Sequence, residues 1–304
     1  MNSFNSIQSF IDNPTKKPII LENGILNKIS SNSKANMLKT GSTFFQAGAY
    51  GLVKLNSLYN GPTIDLKRIG DTNSTEFFAQ STTNYGTLKT STGQTLSAFL
   101  NGQTTVYVTK WYDQTGNGYH AINEGNITYN TTNHRVDFAS NYLVVPNDAF
   151  PTGNSPYSYL FTPDNQTTNG NTIFQGGTFG SRTWCLSTMG YNCEGKEDIY
   201  NNSWYANVAR YGVGSSTKPN GVKIADCYDG TDGATGRILY INNESKTYNG
   251  GIDVGGRLQT GGNNFIGHSV YDGELIVNYT GSLKYFFWAP ILLPIEDITI
   301  LQNV

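Results

Sequence analysis

Apolar and polar positions alternate with a period of two through most of this chain, in short runs. Over 106–111, Val106 and Val108 alternate with Tyr107 and Thr109, side chains that suit a pleated, half-buried strand. Over 63–69, Ile64, Leu66 and Ile69 alternate with Asp65 and Lys67; the polar run 70–74 turns the chain and 76–79 returns beside it. Further strands are expected at 119–122, 136–138, 142–145, 158–161, 172–174, 183–187, 204–210, 222–228, 236–241, 264–267 and 281–288. Residues 237–248 read as a hairpin about Asn242 and Asn243, a pair that tolerates left-handed backbone. Two stretches break the period. In 47–58 Tyr50, Val53, Leu55 and Leu58 form one apolar stripe that Asn60-Gly61-Pro62 stops, which predicts a helix, and 96–100 predicts a shorter one. Short strands at regular spacing, with turn signals between them, define an all-β sandwich.

The strand at 106–111 delivers Trp111, Tyr112, Asp113 and Gln114 into a loop it cannot continue through. Asp113, Thr115 and Asn117 are turn formers, and Gly116 and Gly118 permit backbone angles closed to other residues. Trp111, Tyr112, Asp113 and Asn117 are the candidate ligand-binding residues; the alternative for Asp113 is that its carboxylate only fixes the turn by accepting backbone N–H groups.

Composition narrows the picture. Charged residues make up 14% of the 304, against roughly 25% on average, while Gly (34) and Tyr (20) are plentiful, as short strands and polar turns require. A net charge of −2 gives no footprint for a nucleic acid. Cys185, Cys193 and Cys227 are an odd number without a C-x-x-C pair; they read as free thiols, with a Cys185–Cys193 bridge open to an oxidising compartment. His120, His134 and His268 have no metal-ligand spacing, and Asp226-Cys-Tyr-Asp229-Gly-Thr-Asp232 lacks the rest of a calcium loop and reads as a solvated turn. No metal and no cofactor are expected. No run approaches the ~20 apolar residues of a membrane span. The first residues lack the basic start and apolar run of a secretory signal, so the expectation is a protein kept in the cytoplasm where it is made. Residues 1–42 differ from the rest, with five lysines against two acids and apolar patches at 18–21 and 25–26. They read as an N-terminal arm lying on a neighbouring subunit, ahead of one domain over 43–304.

The stretch 111–121, W-Y-D-Q-T-G-N-G-Y-H-A, resembles the Y-D-Q-S-G motif in the catalytic domain of family 54 α-L-arabinofuranosidases. The motif also occurs in concanavalin A-like (laminin G-like) jelly-roll domains of bacteria, phages and large DNA viruses. G-P-T-I-D-L-K-R-I-G-D at 61–71, L-Y-I-N-N at 239–243, N-F-I-G at 264–267 and the runs 279–287 and 293–301 are similar to further segments of these domains, so the resemblance spans about 45–304. It implies a concanavalin A-like β-sandwich, or jelly roll, with an extended N-terminal arm and one or two short helices.

The same resemblance bears on catalysis. A retaining glycosidase needs two carboxyl groups roughly 5 Å apart. In the segment similar to the family's nucleophile segment, 172–180, Phe174 and Gly177 match, Thr172 and Ile173 replace two cysteines, and Gly180 replaces the glutamate. In Ile266-Gly267-His268-Ser269, Ser269 stands where the family has its acid/base aspartate, with Asp272 three residues on. The implied function is non-catalytic: a structural or recognition sandwich in an assembly, as a viral minor capsid, decoration or fibre protein resident in the virion. Its partners would be other subunits, through the arm, and glycans. The alternatives are a carbohydrate-binding lectin outside a virion and an arabinofuranosidase-like hydrolase.

Overall fold

A computed structural model describes residues 47–303 apart from 56–58, 124, 140, 152–155, 165–172, 177–184, 189–191, 194–195, 198, 205–206, 212–220, 222, 231–235, 246–263 and 272–273. Between 185 and 211 only strand backbone is described. Among the described residues nineteen strands form one continuous sheet, folded over into two facing layers. Every pairing is antiparallel, so neighbours can be joined by tight turns.

The first layer runs β1 (Gly48–Gly51), β23 (Thr280–Ala289), β10 (Tyr157–Asp164), β17 (Ile224–Tyr228), β18 (Arg237–Ile241) and β19 (Glu244–Ser245). The second begins with β4 (Leu88–Lys89), β3 (Thr75–Ala79), β2 (Ile64–Arg68) and β5 (Thr105–Trp111). The start of β5 pairs with β7 (Thr128–Asn130), which leads to β8 (Arg135–Ala139). The end of β5 pairs with β6 (Ala121–Asn123), and the layer continues through β9 (Leu143–Val145), β20 (Asn264–Ile266), β11 (Phe174–Gly176), β12 (Cys185–Thr188), β15 (Ile199–Trp204) and β16 (Asn207–Tyr211). Two small hairpins stand apart: β13 (Asn192–Cys193) with β14 (Lys196–Glu197), and β21 (His268–Tyr271) with β22 (Glu274–Asn278).

The long strand β23 ties the layers together, pairing its first half with β8 and its second half with β1. Its inward side chains, Leu283, Phe286 and Trp288, join Ile64, Val108, Trp111, Phe138 and Phe174 in the central core. Its other face is covered too. Tyr285, Phe287 and Ala289 pack with Val53, Leu55 and the C-terminal helix α2 (Ile295–Leu301). A strand buried on both faces reads as a continuous apolar run, as L-K-Y-F-F-W-A does.

The all-β sandwich predicted from alternation is the fold observed; most expected strands shift by a residue or two, β10 runs three residues further, and β4, β7, β13, β14, β21 and β22 were not expected. The hairpin turn at Asn242 and Asn243 has φ of 52° and 67°. The short helix is α1 (Leu96–Leu100), capped by Thr95 Oγ1 accepting from Ala98 N at 3.2 Å. The helix predicted over 47–58 is not formed in its described part, 47–55. Gly48–Gly51 is strand β1, because its two glycines hold a helix weakly while β23 offers a complete ladder partner. Its Tyr50 faces the central core while Ala49 and Val53 face the outer cluster. The second described helix is α2, with Glu296 and Asp297 in its first turn, where negative charge suits the N-terminus. The strand expected over 204–210 is two strands, β15 ending at Trp204 and β16 beginning at Asn207. The arm over 1–42 lies outside the described residues.

Candidate functional site

The loop after β5 is organised by side chains that bond backbone. Asp113 is fully buried, and its carboxylate accepts from Ala49 N (3.0 Å), Thr115 N (2.9 Å), Thr115 Oγ1 (2.7 Å) and, more weakly, Tyr119 N (3.4 Å). Burial pushes the Asp113 carboxyl above its usual range, and these donors pull it back. Gln114 is buried beside it: its amide donates to Gly51 O and Val53 O, both at 2.9 Å, and accepts from Leu55 N at 2.8 Å. Asn117 Nδ2 donates to Ala47 O at 2.9 Å. Backbone groups of residues 47, 49, 51, 53 and 55 are thus held by one loop, on the edge of β1 away from β23. The loop can turn this way because Gly116 and Gly118 take φ of 89° and 83°.

Of the four residues proposed from sequence, the structure brings Asp113 and Asn117 together in this clasp and sends the other two elsewhere. Trp111 is fully buried in the central core, and its Nε1 has no hydrogen-bond partner among the described residues. Tyr112 points to the outer face of the second layer, where its hydroxyl donates to Glu76 Oε1 at 2.7 Å. Lys110 Nζ lies 5.1 Å from the centre of its ring, and the His120 ring packs edge-on with centroids 4.8 Å apart. His120 Nδ1 accepts from Asp113 N at 3.2 Å, so the loop and this cluster are one construction. Burial, and then Lys110, lower the His120 pKa.

A further polar group lies between the layers, and sequence reading missed it. Asp226 is fully buried in β17, its cross-strand neighbour on β10 is Tyr159, and Tyr157 stands opposite Tyr228 in the same ladder. The ring centroids of Tyr157 are 5.3 Å from Tyr159 and 5.4 Å from Tyr228. Phe174 stacks on Tyr159 at 4.3 Å. The Tyr159 hydroxyl has no hydrogen-bond partner among the described residues; burial, with Tyr157 and Asp226 nearby, raises its pKa well above the ordinary value. The strand expected over 222–228 is β17, so the stretch also read as a solvated turn is buried strand up to Tyr228, and the chain is exposed at Asp229. The available signal was the alternation of Ile224, Asp226 and Tyr228 on one face.

The positions weighed for catalysis separate. Gly180 and Thr172 lie outside the described residues, Ile173 is core, and Ser269 sits in β21. Among the described residues no group of three or more His, Cys, Asp or Glu is placed to hold a metal, and no helix is long and apolar enough to cross a membrane. Cys227 is a free, buried thiol whose pKa burial pushes up to about 12, and His268 is buried against Tyr142, its ring stacked at 4.3 Å.

No protein-family model matches the sequence, and no curated protein matches it by sequence. Solved structures do. A family 54 α-L-arabinofuranosidase soaked with a cyclic sulfate inhibitor, and an arabinofuranosidase complexed with arabinofuranosyl-α-1,2-xylobiose, each align with a TM-score of 0.54 and 16% identity over 84% of this chain. The match takes in 62% of the length of those arabinofuranosidase chains. Domain 4 of AbnA, a family 43 extracellular arabinanase from Geobacillus stearothermophilus solved with arabinotriose, aligns over 62% of this chain and 91% of its own at 19% identity and a TM-score of 0.45. The fold is thus a concanavalin A-like β-sandwich, and it resembles the catalytic domain of the family 54 arabinofuranosidases.

Proposed function

We propose that this protein is a carbohydrate-recognising β-sandwich that binds glycan without hydrolysing it, through the polar box between the layers. The observation that carries the reading is Asp226: a fully buried carboxylate on β17 stands across from Tyr159 on β10, with Tyr157 opposite Tyr228 in the same ladder. The box lies at an end of the sandwich. Tyr157 opens β10, Tyr228 closes β17, and the next residue is exposed. Carboxylates and tyrosines recognise sugars by accepting and donating to hydroxyls and by packing against the ring. Retaining hydrolysis needs a second carboxyl group at roughly 5 Å. The shared fold supports the class of ligand, since a structural neighbour was solved with arabinofuranosyl-xylobiose.

The test is calorimetric titration with arabinoxylo-oligosaccharides beside an assay on 4-nitrophenyl α-L-arabinofuranoside. Binding weakened at least about tenfold by Asp226→Asn, with no release of nitrophenol, is the expected result. Turnover that Asp226→Asn abolishes would overturn the non-catalytic reading, and loss of neither binding nor turnover would remove the box from consideration.

A second reading has its own support. As a viral minor capsid, decoration or fibre protein located in the virion, the chain would meet neighbouring subunits through residues 1–42. The clasp at Asp113, Gln114, Thr115 and Asn117 favours it, because it anchors the segment directly after that arm. Protease should then spare residues 1–42 in the assembled particle and cleave them in the free protein; equal cleavage in both counts against it.

A further inference from the structure

The outer face of the second layer carries a constellation that the box between the layers does not use. Asp65 on β2 stands directly across from Glu76 on β3 and from Lys110 on β5, so one strand register sets two carboxylates and an ammonium in a row. Like charges directly opposite each other on a sheet are destabilising. Asp65 is 8% exposed, and its Oδ2 accepts from Ser74 Oγ at 2.8 Å, but Oδ1 has no hydrogen-bond partner among the described residues. A buried acceptor left without a donor is destabilising. Tyr112 is the centre of the group, bonded to Glu76, roofed by Lys110 and edged by His120. The face is open: Ile122, cross-strand from Lys110, is 48% exposed.

The donors and acceptors define the ligand. Because His120 Nδ1 accepts from Asp113 N, its neutral ring carries the proton on Nε2 and can donate it. Lys110 Nζ donates and the second Glu76 oxygen accepts, above the buried Asp65 carboxylate that stands across the ladder from both. Each sugar hydroxyl is both donor and acceptor, so this alternation suits a pair of them, with the His120 ring as flanking surface. An anion would meet two carboxylates. A divalent cation would find too few oxygens, and Lys110 opposite Asp65.

We propose that Asp65, Glu76, Lys110, Tyr112 and His120 form a second carbohydrate site, on the outer face, that takes a neutral sugar through its hydroxyls. It does not rest on the reading of the Asp226 box.

The experiment is an NMR titration of the full chain with xylotriose, cellotriose and arabinotriose in turn, following the His120 ring nitrogens and the Tyr112 ring. At least one sugar should shift both residues. Glu76→Gln, an exposed change that preserves the fold, should weaken that shift at least about tenfold, and Asp65→Asn should do the same, while Asp226→Asn leaves it in place. His120 and Tyr112 unmoved by all three sugars would overturn the proposal. So would a shift insensitive to both Asp65→Asn and Glu76→Gln. A response to calcium chloride alone would replace the sugar with a cation. Sugar binding lost only in Asp226→Asn would support the inner box and dismiss the outer site.

Discussion

His120 links the clasp to the outer face, and its chemistry makes that link sensitive to acid. Its pKa lies below the ordinary 6.5 because burial and Lys110 both oppose a second proton, and Nδ1 is already an acceptor for Asp113 N. The unfolded chain therefore binds a proton before the folded one as the pH falls through 6.5, and the stability contributed by neutral His120 is full above that value and lost below it. His134 is shifted the same way and adds to the effect. The midpoint of urea unfolding should fall between about pH 7.5 and about pH 5.5, and by less in His120→Gln. Equal slopes in the two proteins would show that His120 carries no such linkage. Asp113, whose carboxyl is raised by burial, gains stability in the opposite sense as acid protonates it, so the comparison with the variant is what isolates the histidine.

Among the elements, β1 is the one whose place depends most on others. It has four residues, three of them Gly or Ala, held by β23 along one edge and by the Asp113–Asn117 loop along the other. Gly48 is there for space: a Cβ at that position would stand 1.9 Å from the Trp288 ring, its partner in the ladder. Gly48→Ala should therefore displace β1 or the indole and cost about 1–3 kcal/mol, the usual range for overpacking. Thermal unfolding measures the cost, and an unchanged melting temperature would mean the ring moves freely. If the strand is what yields, protease should cut near residues 46–56 more readily in the variant.

For the molecule as a whole, the aromatic core between the layers is the main stabilising mass. Phe286 lies at its middle, with ring centroids 5.3 Å from Phe174 and 6.1–6.3 Å from Tyr50, Phe150, Tyr159, Phe161 and Trp288. These rings come from both layers and from the loop between β9 and β10. Phe286→Ala leaves a cavity that so many rigid rings cannot collapse into, and should lower the unfolding free energy by about 3–5 kcal/mol. Exposed Ile122→Thr on the outer face should change it by less than about 0.5 kcal/mol, so urea titration of the pair separates core from surface. A small loss in Phe286→Ala would mean that the two layers hold together without this contact.

Much of this fold is written locally. The alternation Ile64-Asp65-Leu66 or Val106-Tyr107-Val108 sets which side of a strand is buried, and Asn242-Asn243 and Gly116-x-Gly118 set turns, because pleat and backbone angles are properties of neighbouring residues. The role of Asp113 in fixing its turn was legible for the same reason. The strand state of Gly48–Gly51 was not, because its spacing mimics a helical stripe and its ladder partner, Trp288 to Tyr285, lies at the far end of the chain. Nor was the burial of Asp226 or the gathering of Asp65, Glu76 and Lys110, which share no motif and meet only through strand register. The sequence by itself determined the all-β class, the turns and the anchoring loop. The tertiary structure alone decided which polar residues became neighbours, since long-range pairing in a sheet places side chains by register and not by distance along the chain.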